Sequence, residues 1–109
     1  MDIFLLLANL GKTIELVIPS NTPHSRRPDF VMDGIEWEAK SPKSGVRRAL
    51  ERNFYEASRQ SSNIVIDLRR AKGDDATASL ILEKCFQNTR KVRRMYIITK
   101  SQKLKLYKK

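Results

Sequence analysis

The sequence is poor in the residues that cross-link small domains. Its 109 residues include one cysteine, Cys85, and one histidine, His24. A single cysteine excludes an intramolecular disulfide, and these two residues cannot build a zinc cluster between them. Because Cys85 falls within an apolar helical pattern, we expect a buried and unreactive thiol there.

Long apolar runs are also missing. The opening stretch MDIFLLLANL has only a few consecutive apolar residues, with an acidic residue before them and a lysine after them. Such a stretch is too short to cross a bilayer and lacks the basic start of a signal peptide. We therefore expect no membrane span.

Acidic residues are scarce relative to basic ones. The sequence has 12 aspartates and glutamates and 22 lysines and arginines, which gives a net charge of +10 and an isoelectric point near 10.1. This excess indicates a polyanionic partner, such as nucleic acid, an anionic membrane surface or an acidic protein. The alternative is a basic surface that serves solubility alone.

The remaining pattern is that of one folded domain over residues 1–109, with 40% hydrophobic and 31% charged residues. Hydrophobic periodicity predicts a mixed α/β (α+β) fold, a mixed β-sheet flanked by helices in the order α-β-β-β-α-β-α-β-β. The predicted helices are Ile3–Asn9, 46 to about 61, and a third one capped by Asp75 or Thr77. The predicted strands are 13–18, 29–32, 35–40, 63–68, 92–99 and 103–107. The strands on either side of the second helix should run parallel.

An Asp33-Gly34 pair between two β-prone runs predicts a tight hairpin. If these two residues form the turn, Asp29 lies directly opposite Glu38, with Cβ atoms about 5 Å apart. Lys40, two residues beyond Glu38, shares their face. Two facing carboxylates repel each other unless a cation lies between them, and hard divalent cations prefer carboxylate oxygens. An ammonium group beside such a cation suits phosphodiester chemistry, whereas the alternative is an exposed structural ladder.

Asp67 is a further candidate, because it lies in the apolar run Ile64-Val-Ile-Asp-Leu68. A buried carboxylate needs a partner or a cation. If this strand runs parallel to that of Glu38, Asp67 could approach the same site. The competing interpretation is a buried pair with an arginine.

These residues resemble the PD-(D/E)XK signature of restriction-endonuclease-like nucleases, through Pro28-Asp29 and Glu38-Ala39-Lys40. The wider pattern is similar to the C-terminal tRNA nuclease domains of CdiA, the toxins of contact-dependent growth inhibition, and to toxin-like domains of phage and mobile elements. It covers roughly residues 11 to 101. The segments that carry it are Arg27-Pro-Asp-Phe30, Gly34, Trp37-Glu-Ala-Lys-Ser-Pro42 and Gln60-Ser-Ser-Asn-Ile-Val-Ile-Asp-Leu68.

The resemblance implies that Asp29 and Glu38 are metal ligands and that Lys40 is the catalytic lysine. It implies a divalent metal, with Mg²⁺ expected and Mn²⁺ or Zn²⁺ as alternatives, an RNA substrate, tRNA first, and a cognate immunity protein of acidic character. The domain would then be secreted within a larger protein and act in the target-cell cytoplasm, or be cytoplasmic if free-standing. Many such nucleases carry another acidic residue on the first helix, where this sequence offers only Asp2.

Two alternatives stay open. Some similar toxin tRNases have a barnase-like fold and use no metal, and for them the candidates are His24, Lys40, Tyr96 and Thr99. The other alternative is a non-catalytic basic module that binds nucleic acid. Basic residues expected to contact phosphates around the hairpin site are Arg26, Arg27, Lys43, Arg47, Arg48, Arg93 and Arg94.

Overall fold

The computed structural model describes residues 3–12, 14–16 and 30–109. Its helices are α1 (Ile3–Asn9), α2 (Arg47–Ser58) and α3 (Asp75–Gln87). Its strands are β1 (Ile14–Leu16), β2 (Phe30–Met32), β3 (Ile35–Lys40), β4 (Asn63–Asp67), β5 (Arg94–Ile98) and β6 (Leu104–Lys108). The predicted element order is thus confirmed. Strand β3 has the predicted bounds, β4 and β5 are one and three residues shorter than predicted, and β6 is displaced by one residue.

The strands form one six-stranded sheet in the order β1-β2-β3-β4-β5-β6. Strands β3, β4 and β5 are parallel to one another, while the outer strands pair antiparallel. The parallel arrangement of β3 and β4 agrees with the sequence-based expectation. Since parallel strands end at the same edge, residues that follow β3, β4 and β5 gather at one rim, called here the carboxyl edge.

Each face of the sheet has its own core. Helices α2 and α3 cover one face, where Leu50, Phe54 and Leu82 pack with Ile64 and Ile66 of β4. Helix α1 covers the other face, and its core is formed by Leu6, Leu7, Phe30, Met32, Trp37, Val65 and Ile98. The alternation of Ile64, Val65 and Ile66 between the two cores gives the direction of every side chain on the parallel strands.

Local signals in the sequence explain two turns within the described residues. Asp33 and Gly34 both have positive φ, 53° and 80°, which suits the two-residue turn between β2 and β3. Gly11 ends α1 with φ of 88°, where the N–H groups of Gly11 and Lys12 donate to the carbonyls of Ala8 and Leu7.

Two details of the helices differ from expectation. Asp74, rather than Asp75 or Thr77, caps α3, because its carboxylate accepts the Thr77 N–H at 2.6 Å. Val46 precedes α2 with its side chain 63% exposed, so the apolar face of α2 starts with Ala49 and Leu50. No helix in the described part of the chain is long and apolar enough to span a membrane.

Candidate active site

Strand β3 directs Glu38 and Lys40 to the same face of the sheet. Their register partners on β4 are Ile64 and Ile66, which both belong to the core under α2 and α3. Ala39, between them, pairs with Val65 of the opposite core. The carboxylate and the ammonium group therefore share the α2 side of the sheet, as the hairpin register predicted.

The two side chains differ in exposure. Glu38 is only 6% exposed, although glutamates are rarely buried. The Lys40 side chain is 29% exposed, and its Nζ lies 3.7 Å from Oε2 of Glu56 on α2. Sequence reasoning did not identify Glu56, because the face that α2 turns toward β3 depends on how the helix packs. The result is a buried carboxylate beside an ammonium group that solvent can reach.

Asp29 lies outside the described residues, as do Asp2, His24, Arg26 and Arg27. The hairpin register is confirmed up to the last described pair, Phe30 with Trp37. The next pair in that register is Asp29 with Glu38, and their opposition stays a prediction.

Asp67 does not join Glu38 and Lys40. It pairs with Ile98 in the register of β4 and β5, and Ile98 belongs to the core under α1. Asp67 therefore points to the opposite face of the sheet. Its carboxylate is bound by Arg69, whose Nη2 and Nε lie 2.7 and 2.9 Å from the two oxygens. The competing interpretation, a buried pair with an arginine, describes this residue correctly.

The described residues do not form a complete metal site. Among them there is no group of three acidic, histidine or cysteine side chains that could hold a metal ion. Glu38 is the one predicted metal ligand within the described range, and its hard oxygen donors fit Mg²⁺ or Mn²⁺.

The five predicted phosphate-binding residues within the described range divide between two edges of the sheet. Lys43, Arg47 and Arg48 are exposed and follow β3 at the carboxyl edge. Arg93 is exposed and Arg94 half-buried at the start of β5, which is the opposite edge. A five-residue strand is about 13 Å long, so these two groups do not form the single cradle that the sequence suggested.

The segment Gln60-Ser-Ser-Asn63 has a structural role. Ser61 Oγ and Asn63 Nδ2 both donate to the carbonyl oxygen of Glu36, at 3.0 and 3.1 Å. Asn63 Oδ1 accepts a hydrogen bond from Arg94 at 3.2 Å. These contacts join β3, β4 and β5 at their amino ends.

Three of the four candidates for a metal-free site, Lys40, Tyr96 and Thr99, lie among the described residues, and the structure does not bring these three together. Tyr96 packs on Trp37, with ring centroids 5.2 Å apart, on the α1 face. Its hydroxyl is 3.0 Å from Nζ of Lys12, and this hydrogen bond raises the pKa of Lys12. Lys40 points to the other face, and Thr99 is buried with its hydroxyl 3.0 Å from that of Ser101.

A solved structure has the same fold. The CdiA-CT/CdiI toxin and immunity complex from Burkholderia pseudomallei matches with a TM-score of 0.72, over 96% of this chain and 78% of that chain. The two sequences are 19% identical, so the likeness concerns the architecture.

A match of the sequence shows the family of this chain. Residues 26–104 match the contact-dependent growth inhibition CdiA C-terminal domain, and the chain belongs to that family. A comparison with curated proteins finds no match.

Proposed function

We propose that this domain is the toxin of a contact-dependent growth inhibition system and hydrolyses phosphodiester bonds in RNA, with tRNA as the first candidate. The observation that carries the proposal is the placement of Glu38 and Lys40 on one face of β3, at the carboxyl edge. In this reading Glu38 is a metal ligand, Asp29 supplies the second carboxylate, and Lys40 contacts the reacting phosphate.

The chemistry follows from the two side chains. A divalent cation held by Asp29 and Glu38 would polarise a phosphoryl oxygen and supply an acidic water. The Lys40 ammonium stabilises the negative charge that builds up on the phosphate as water attacks. Glu56, within 3.7 Å of Nζ, restrains the lysine on the side facing α2. A net charge of +10 favours a polyanionic substrate over a neutral one.

The partner is proposed from the solved neighbour, which is a complex of a toxin with its immunity protein. An equivalent protein for this domain should be acidic, because charge complementarity accelerates association with so basic a surface. By covering Lys40 it would keep substrate from the site.

The test is cleavage of total tRNA by the purified domain, with Mg²⁺ and then with excess EDTA. We expect cleavage only with Mg²⁺, and a loss of about 100-fold or more in rate for Lys40→Ala and for Glu38→Gln. Glu36→Gln is the matched control for Glu38→Gln, since Glu36 is exposed on the same strand. Lys105→Ala, at an exposed position of β6, is the control for Lys40→Ala.

Different failures have different meanings. Equal cleavage in EDTA would reject the metal, and a fully active Lys40→Ala variant would reject the assigned site. Binding of nucleic acid without cleavage of RNA or DNA under any divalent metal would identify a non-catalytic module instead.

A further inference from the structure

A basic cleft lies at the carboxyl ends of β4 and β5. It has a volume of about 300 Å³ and is lined by Asp67, Arg69, Arg70, Lys100 and Gln102. Neither of its two arginines was a sequence-based candidate for nucleic-acid binding. The cleft lies on the same edge of the sheet as Lys40, because β3, β4 and β5 are parallel neighbours.

Arg69 is held in a fixed orientation within this cleft. Asp67, with a side chain 4% exposed, binds Nε and Nη2 of Arg69 through both carboxylate oxygens. Asp67 Oδ1 also accepts the backbone N–H of Arg69 at 3.0 Å. A guanidinium restrained in this way loses little conformational entropy when it binds a ligand.

Lys100 follows β5, and its side chain is held by Leu68 and Asp75. Its Nζ donates to the carbonyl oxygen of Leu68 at 3.3 Å and lies 3.9 Å from the carboxylate of Asp75. The side chain keeps 39% of its surface exposed, so solvent and ligands can still reach it. The backbone N–H of Lys100 also donates to Asp75, at 3.1 Å, which fixes the loop after β5.

Arg70 gives the cleft its surplus charge. It is exposed, and no carboxylate in the described part of the chain forms an ion pair with it within 4.0 Å. Three cations therefore face two carboxylates, Asp67 and Asp75, which leaves a positive cleft with preset donors. Guanidinium and ammonium groups arranged in this way bind a phosphate better than an apolar ligand.

We propose that this cleft binds a backbone phosphate of the RNA next to the one that is cleaved. The inference rests on the proposed function and adds to it the path of the substrate. Neighbouring strands lie about 4.8 Å apart, so the ends of β4 and β5 are about 5 and 10 Å from the end of β3 that carries Lys40. Because Asp67 and Lys40 point to opposite faces of the sheet, the RNA would cross the carboxyl edge from one face to the other. Asp67 would act as the positioning residue for Arg69.

The experiment measures tRNA binding by fluorescence anisotropy in EDTA, so that cleavage does not interfere. The variant is Arg70→Ala with Lys100→Ala. Its matched control is Arg90→Ala with Lys91→Ala, which removes the same charge from two exposed residues before β5, at the opposite edge. Circular dichroism verifies that both variants are folded.

We expect the cleft variant to bind at least 10-fold more weakly than the control variant. The slope of log affinity against log salt should fall by about 1 to 2, as phosphate contacts are lost. If both variants bind equally, the cleft is not a phosphate site, even when the wild-type domain cleaves tRNA. If the wild-type domain neither binds nor cleaves nucleic acid, the proposed function fails together with this inference.

Discussion

At the residue scale, Asp74 links the charge of one carboxylate to the stability of a helix. The hydrogen bond from the backbone N–H of Thr77 lowers the pKa of this carboxyl group below 3.8. A lowered pKa in the folded state means that the ionised form stabilises the fold above the unfolded-state value. This contribution is lost as the pH falls through the lowered pKa.

We expect Asp74→Ala to lower the midpoint of thermal unfolding by roughly 4 °C at pH 6, through loss of the cap. The difference from wild type should shrink toward pH 3. Asp74→Asn is the control, because an amide oxygen caps without ionising and should remove only the dependence on pH. A constant difference between Asp74→Ala and wild type from pH 6 to pH 3 would contradict this account.

Cys85 is a second residue whose environment predicts its reactivity. The residue is 5% exposed, and burial raises the pKa of its thiol, so little of the reactive thiolate forms near neutral pH. We expect a thiol reagent such as DTNB to label it at least 10-fold more slowly in the native protein than in urea. Cys85→Ala should retain the proposed nuclease activity, and a loss of activity with intact folding would reveal a role for the thiol.

The orientation of some single residues depends on contacts between distant segments. The burial of Asp67 follows from its apolar neighbours, but its face does not, because a register shift of one residue would turn it to the other side. The parallel pairing of β3 with β4 is set by contacts between distant segments, with Lys40 beside Ile66. The residue that caps α3 also could not be predicted, since Asp74 and Asp75 are adjacent and residue type suits both equally.

At the element scale, the loops after β3 and β4 depend on Gly45. The N–H of Lys72 donates to the carbonyl oxygen of Lys43 at 3.3 Å, which joins the two loops. A Cβ at Gly45 would overlap the carbonyl oxygen of Lys72. The position of this Cβ is set by the backbone of residue 45, and the overlapped oxygen belongs to the backbone of Lys72. A side-chain rotation therefore cannot relieve the overlap.

We expect Gly45→Ala to lower the free energy of unfolding by about 1–3 kcal/mol and to reduce activity, since the carboxyl edge must shift. Gly34→Ala is the comparison. Its φ of 80° makes alanine strained, but no atom lies within 4 Å of the new Cβ. That variant should lose about 1 kcal/mol and keep its activity. Equal activity of the two variants would show that the loops after β3 and β4 do not influence the site.

The elements themselves follow well from the sequence. The Asp33-Gly34 turn fixes the register of β2 with β3, because both residues adopt the positive φ that this turn requires. Leu82, Cys85 and Phe86 are buried along α3, as their helical spacing predicted. Glu56 and the basic cleft could not be found in this way, since each arises where separate elements meet.

At the scale of the whole molecule, the proposed divalent cation would bind to a domain whose own net charge is +10. Long-range repulsion of this sign opposes Mg²⁺, so only closely spaced carboxylates can bind it. Glu38 is a buried carboxylate of β3, and in the hairpin register it lies opposite the predicted position of Asp29. A bound metal should then stabilise the folded state alone, because the two ligands separate when the hairpin unfolds.

We therefore expect Mg²⁺ or Mn²⁺ to raise the midpoint of thermal unfolding of the wild-type domain. At 100 times the dissociation constant the gain is about 2.7 kcal/mol, or roughly 10 °C for a domain of this size. Glu38→Gln and Asp29→Asn should each abolish the metal-induced increment, whatever their own effect on stability, whereas Glu36→Gln should keep it. An increment that persists in Glu38→Gln would place the cation elsewhere and leave Glu38 as a structural carboxylate. Calorimetric titration with Mn²⁺, which needs no substrate, separates this result from any loss of RNA binding.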